Sequence, residues 1–246
     1  YILLNEVKTP DRLNERQFAR WCMLYCRAAD KLFKDMLYTE QLDRALVWYK
    51  SHGAAEQQAW MGLYLGRSYV KDKLFIPAMK AYSDALSLAK EKYLYDVAGY
   101  ICSYMADLYT YTGQRSEERR KFEEAAEFFK QAGNERSYAF ALRDVAKTWA
   151  FDDSLSLALH YMLIADSVIT RFQDLRGISS ISNGLGNIYD LMGDVEKARA
   201  YYSRSLSSDT MDQVPSYLAL SDLYYNESLL DSARYYLALD TGPSLN

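Results

Sequence analysis

Small and apolar residues recur at spacings of three and four from residue 59 onward. Ala59, Gly62, Leu65, Gly66 and Tyr69 fall on one stripe, which is one face of an α-helix. Asp72-Lys73 interrupts the pattern, and Ala78, Tyr82, Ala85 and Leu86 resume it. Two such stripes parted by a short polar break predict a helix, a tight turn and an antiparallel helix. The arrangement returns along the chain. Gly66, Ala106, Ala146 and Gly186 stand at intervals of forty residues, and Ser221 follows thirty-five further on. Three residues after each comes an aromatic: Tyr69, Tyr109, Trp149, Tyr189 and Tyr224. Twelve after each comes Ala78, Glu118, Ala158, Ala198 or Ala233. A fixed period of this length means like units stacked in a row, each leaning on its neighbours.

The small residue has a steric reason. Gly or Ala lets two helices approach closely; Ala78 answers from the second helix, and Tyr69 and Tyr82 fill the space beside the contact. Glu118 breaks the small-residue rule, so the second unit is expected to open there or Glu118 to tilt to solvent. Asp72-Lys73, Thr112-Gly113-Gln114, Asp152-Asp153, Met192-Gly193-Asp194 and Asn226-Glu227-Ser228 mark the inner turns. Gly133-Asn134 and Ser208–Asp212 mark turns between units. Gly, Asn and Asp suit helix-to-helix turns through positive φ or side-chain capping.

The order small–x–x–aromatic, then Ala, then Tyr or Phe, then Ala, resembles the tetratricopeptide repeat. Leu65-Gly66-x-x-Tyr69 and Leu185-Gly186-x-x-Tyr189 carry its first part, and Ala78…Tyr82…Ala85 its second. The resemblance covers about residues 55 to 240. It implies an all-α fold, a right-handed α-solenoid of antiparallel helix pairs, about six pairs in all. The five units are expected at about 59–92, 99–132, 139–172, 179–212 and 214–241, within a domain of residues 55–246. The usual unit has about 34 residues, and the six extra ones here fall after the second helix. Residues 1–54 are expected to hold a degenerate helix pair packed on the array, with Phe18, Trp21, Cys22, Tyr25 and Ala29 on one stripe and Leu42, Ala45, Leu46 and Tyr49 on the other. This segment, with its Trp-Tyr-Lys-Ser-His-Gly ending, is similar to the start of a group of Bacteroidetes repeat proteins, typically lipoproteins or membrane-tethered regulators. That likeness implies a periplasmic or cell-envelope protein, lipid-anchored at full length, with a cytoplasmic one as the alternative. The short triplets Asp153-Ser154-Leu155 and Asp231-Ser232-Ala233 fit an exported protein as well.

In repeat stacks of this kind the first helix of each unit lines a concave face. The resemblance therefore implies a non-enzymatic scaffold that holds a protein or peptide segment there. The alternative is a sensory or regulatory input domain of a larger membrane-tethered signalling or transcription-regulating protein. Helical spacing places Trp60, Tyr100 and Phe140 as an aromatic stripe on that face, unless neighbouring helices cover it. Arg67, Arg143 and Lys147 stand beside the stripe, placed to hold a carboxylate. Asn183 and Asn187 form a pair of amides suited to a peptide backbone. Leu63, Asp107, Tyr111, Asp190, Asp222 and Tyr225 complete the wall. The chaperone-tail carboxylate clamp of the family wants Lys and Asn where this chain has Leu63 with Arg67, or Asn183 with Asn187, so that ligand is not carried over. Of the paired tyrosines, Tyr201 and Tyr225 are the members expected to point off the core.

Catalytic chemistry has little to start from. The chain holds two histidines, His52 and His160, and no phosphate loop, dinucleotide fingerprint, zinc helix or calcium loop. Cys22, Cys26 and Cys102 are an odd number, expected as small core residues. No cofactor and no metal are expected. With 50% hydrophobic and 25% charged residues and a net charge of −4, the chain reads as an ordinary globular protein without the basic surplus of a nucleic-acid binder. Arg115, Arg119, Arg120 and Lys121 are matched by nearby Glu. No stretch is apolar and long enough for membrane insertion. The opening Tyr-Ile-Leu-Leu starts in mid-pattern, which reads as a piece of a longer protein. The last unit ends near Thr241-Gly242-Pro243 with no polar capping helix, so it is expected to dock against further sequence or a second copy, as a homodimer through the C-terminal repeat.

Overall fold

Every helix between Ala55 and Leu191 is seventeen residues long, and three-residue turns join them. The structure is a computed structural model that describes residues 2–32, 34, 36–208 and 213–240. After the short α1 (Ile2–Asn5) and a 3-10 turn at Pro10–Arg12 come α2 (Glu15–Lys31), α3 (Thr39–His52), α4 (Ala55–Lys71) and α5 (Phe75–Glu91). They are followed by α6 (Tyr95–Tyr111), α7 (Arg115–Gln131), α8 (Glu135–Phe151), α9 (Leu155–Arg171) and α10 (Leu175–Leu191). The last are α11 (Val195–Ser208), α12 (Val214–Asn226) and α13 (Leu230–Asp240). No strand occurs among the described residues. The helices from α2 onward make six antiparallel pairs, and the fold is all-α, of the tetratricopeptide-repeat type.

Two seventeen-residue helices and two three-residue turns account for the forty-residue spacing. The structural period is thus twenty, half the period seen in the sequence. At each step one turn residue is left-handed: Lys73, Tyr93, Gly113, Gly133, Asp153, Gln173 and Gly193 have φ between 51° and 77°. The next amide then reaches back five residues, from Leu74 N to Tyr69 O (2.8 Å), Leu94 N to Ala89 O (2.9 Å) and Asp194 N to Tyr189 O (2.9 Å). This closes the last helical turn on itself and satisfies a carbonyl that the helix leaves open. Glycine adopts that φ freely, whereas a residue such as Tyr93 gives up about 1–2 kcal/mol to do so.

The first helices of the first four units start four residues before the expected bounds, at Ala55, Tyr95, Glu135 and Leu175, whereas that of the fifth starts at the expected Val214. The extra residues therefore lengthen both helices, the end of the second and the start of the next first. The expected ends at 212 and 241, the residues 209–212 and the Thr241-Gly242-Pro243 terminus lie outside the described residues.

The chain divides into two compact units, Tyr1–Ala132 and Gly133–Asn246. Phe18, Cys22, Leu42, Met61 and Tyr82 are buried in the first, and Met162, Ile169, Ile181 and Tyr202 in the second. The small-residue rule has a sharper cause than helix proximity. A Cβ on Gly66 would lie 2.3 Å from the Tyr82 ring, and one on Gly186 would lie 2.4 Å from the Tyr202 ring. The ring sits where the side chain would be. Where Ala106 and Ala146 replace glycine, the residue sixteen positions on is Phe122 or Met162 rather than Tyr. Glu118 neither opens the second repeat nor floats free: Thr110 Oγ1 on the facing helix donates to its carboxylate at 2.9 Å.

Candidate functional site

In the first unit the face of α4 and α6 beside α2 carries the expected aromatics. Trp60 is half-buried, lies 5.4 Å from Tyr100, and stacks on Tyr64 at 5.8 Å. Arg27 of α2 stands over its ring at 5.9 Å. Leu63 is fully buried and has no surface to offer a guest. Arg67 was expected to hold a guest's carboxylate, but the chain supplies one itself. Asp30 of α2 pairs with Arg67 Nη1 and also accepts from Tyr104 Oη at 3.0 Å. The Arg67 guanidinium lies 4.5 Å from the Tyr104 ring centroid. Burial pushes the Tyr104 phenol up, so it stays protonated and able to donate. Beside this cluster is an open hollow of about 430 Å³, lined in part by Lys34, Arg67, Tyr82, Asp107 and Tyr111. Tyr111 is 70% exposed and stacks on Phe75 at 6.2 Å.

The second unit is built differently. Phe140 is flanked by Arg136 and Arg143, each 4.9 Å from its ring centroid. Arg143 is already engaged: it donates to both carboxylate oxygens of Asp144 (2.9 and 3.0 Å) and to Ser180 Oγ of α10 (2.9 Å). Lys147 shares the same carboxylate at 3.5 Å. The basic residues expected to hold a carboxylate are therefore already engaged by Asp30 and Asp144, with one carboxylate shared between Arg143 and Lys147.

The amide pair is present and held from below. Tyr202 Oη donates to Asn187 Oδ1 at 2.8 Å, Asn187 Nδ2 reaches Asn183 Oδ1 at 3.5 Å, and Asn183 Nδ2 donates to Ser216 Oγ at 3.1 Å. Ser216 continues inward to Ser205 (2.8 Å), which pairs with Ser179 (2.9 Å). Asn187 remains exposed and Asn183 half-buried. On the same helices, burial and then the charge of Asp222 push the Asp190 carboxyl up. No ion pair joins either carboxylate to a described residue. Tyr225 is 67% exposed, and Phe151 and Leu191 stand out similarly at the ends of α8 and α10. Leu191 was missed in the sequence. Its place at the last position of a first helix, matching Tyr111 and Phe151, is the signal that finds it. Tyr201 is half-buried beside the buried Tyr202 and stacks on Tyr189 at 5.5 Å. On α13, where self-association was expected, Tyr235, Leu237 and Leu239 are exposed.

The remaining reactive groups are poorly placed for chemistry. All three cysteines are buried, and burial pushes the thiols up, to about 12 for both Cys26 and Cys102; the nucleophilic thiolate is suppressed. His52 ends α3, and its Nδ1 lies 3.1 Å from the Trp48 carbonyl. His160 is exposed, edge-on to Tyr161. No group of three or more potential metal ligands occurs among the described residues. The basic run in α7 is consumed locally: Glu124 meets Lys121 at 2.9 Å, Arg120 at 3.2 Å and Lys90 at 3.6 Å. Burial opposes the ionised Glu124, but these cations outweigh it and hold its carboxyl below the usual range. No helix among the described residues is long and apolar enough to cross a membrane.

Fold and faces together define a stack of tetratricopeptide-type helix pairs. No family model matches the sequence, and no curated protein does. Solved structures do match the fold. BtubC (BKLC) from P. vanneervenii aligns with a TM-score of 0.69 at 20% identity, over 90% of this chain and 92% of that one. A Rap protein in complex with Competence and Sporulation Factor aligns at 0.69 and 16% identity, over 97% of this chain and 69% of that one. The kinesin light chain TPR-like repeats from Podospora anserina align at 0.59 and 12% identity, over 80% and 96%.

Proposed function

We propose that this protein is a non-enzymatic scaffold that holds a protein or peptide segment on the first-helix face of its second unit. The observation that carries the reading is the relay from Tyr202 through Asn187 and Asn183 to Ser216. It holds two accessible amides in fixed orientation, so a guest backbone meets donors and acceptors that need no reordering. Next to them, Asp190 and Asp222 place two negative charges without a cation. Asp144 already engages Arg143 and Lys147, cancelling one of their two charges, so the stretch beside Asp190 and Asp222 is the part that favours a guest carrying Lys, Arg or a free amino end. Phe151, Leu191 and Tyr225 offer apolar contacts alongside. The Rap structure, of the same fold and in complex with Competence and Sporulation Factor, lends the reading a precedent.

The test is selection from a random peptide library on the purified protein. Selected peptides are expected to be enriched in Lys and Arg, and the double variant Asn183→Ala, Asn187→Ala is expected to weaken them roughly tenfold or more, the loss of two hydrogen bonds. Enrichment of acidic peptides, or full affinity in the double variant, would count against this reading.

A further inference from the structure

At the α3–α4 turn, a hollow of about 490 Å³ opens between α2, α3 and α4, lined by Arg16, Arg20, Trp48, Tyr49, His52 and Gln57. It lies in the first unit, outside the face described above. Arg16 and Arg20 sit one turn apart on α2, so their like charges share one side of the helix and repel. Neither makes an ion pair or hydrogen bond with any described residue. The nearest acids in sequence are turned elsewhere: Glu15 grips Arg44 at 2.6 and 3.1 Å, and Asp11 lies 3.7 Å from the same guanidinium. No carboxylate lines the hollow.

The other lining groups are an amide, an imidazole and flat aromatic walls. Gln57 Oε1 accepts from Ala54 N at 3.0 Å, which leaves its amide N–H groups as the unspent end. His52 Nδ1 lies 3.1 Å from the Trp48 carbonyl oxygen. A carbonyl can only accept, so Nδ1 carries the proton and Nε2 is left without a partner. The imidazole stacks on Trp48 with ring centroids 5.0 Å apart and planes 12° apart. Two unpaired arginines lining one open hollow, with an amide donor and no acid among the lining residues, suit a small dianion.

We propose that this hollow binds the phosphoryl group of a small molecule, with Arg16 and Arg20 as its anchors and Gln57 and His52 as its rim. The probe is pyrophosphate, titrated calorimetrically into the intact chain at fixed ionic strength, which holds general screening constant. Saturable one-site binding is expected, with a shift of the His52 ring resonances and none of His160. Arg16→Ala and Arg20→Ala should each weaken binding roughly tenfold or more, as for a charge-assisted hydrogen bond. Arg171→Ala, at an exposed arginine of the second unit paired with Glu135, should leave it unchanged. Absence of saturation at millimolar pyrophosphate overturns the proposal. So does equal affinity in the Arg16→Ala, Arg20→Ala double variant with its helicity intact.

Discussion

Gly186→Leu is expected to destabilise the second unit by about 3 kcal/mol, the upper end for overpacking a filled core. The Tyr202 ring occupies the space where any side chain would begin, with ring carbons 2.4 Å from the Cβ position. Tyr202 is buried and tied by its hydroxyl to Asn187, so the ring cannot swing aside without breaking the relay that orients the amides. The loss should shrink when the ring is also replaced. Gly186→Ala with Tyr202→Met recreates the combination already present at Ala146 and Met162, and the pair should be clearly less damaging than the sum of its parts. Urea unfolding of the singles and the double gives the coupling. An unchanged midpoint for Gly186→Leu would show that no ring lies on that glycine.

Asp30→Ala should cost about 2 kcal/mol in the first unit. It removes the acceptor shared by Arg67 and Tyr104 and leaves a partly buried guanidinium without its counter-charge; the figure is set below that of a fully buried pair because both side chains retain some exposure. The Asp30 and Arg67 side chains are 30% and 19% exposed. Asp30→Asn keeps an acceptor for Tyr104 and should lose less. Denaturant titration that finds Asp30→Ala as stable as the parent would remove this contact from the account of how α2 is held to α4 and α6.

The hairpins and their turns were legible because glycine or alanine returns every forty residues opposite a large side chain, and polar breaks punctuate each pair. The helix starts were not. Residues 55–58 and 95–98 mix small, polar and apolar types over a single turn, too short to show a stripe even though Val97 and Ala98 are buried. Site residues were legible as positions but not as chemistry. Leu63 sits at an inward position by count, yet a helix packed on both sides buries more than one stripe. Arg67 meets Asp30 across thirty-seven residues of sequence, which no local pattern reveals. Arg143 pairs with the very next residue, Asp144, a neighbour that helical spacing sends to another face. The Arg16–Arg20 pair was readable, because no acid stands three or four residues from either one.

The most direct measurement is amide hydrogen exchange of the whole chain with and without a selected peptide. The account predicts that protection gathers on α10 and α12, around Asn183, Asn187, Asp190 and Asp222, and is lost when Tyr202→Phe releases Asn187. Protection confined to α9, α11 and α13 would contradict it, because the guest would then rest on the second helices.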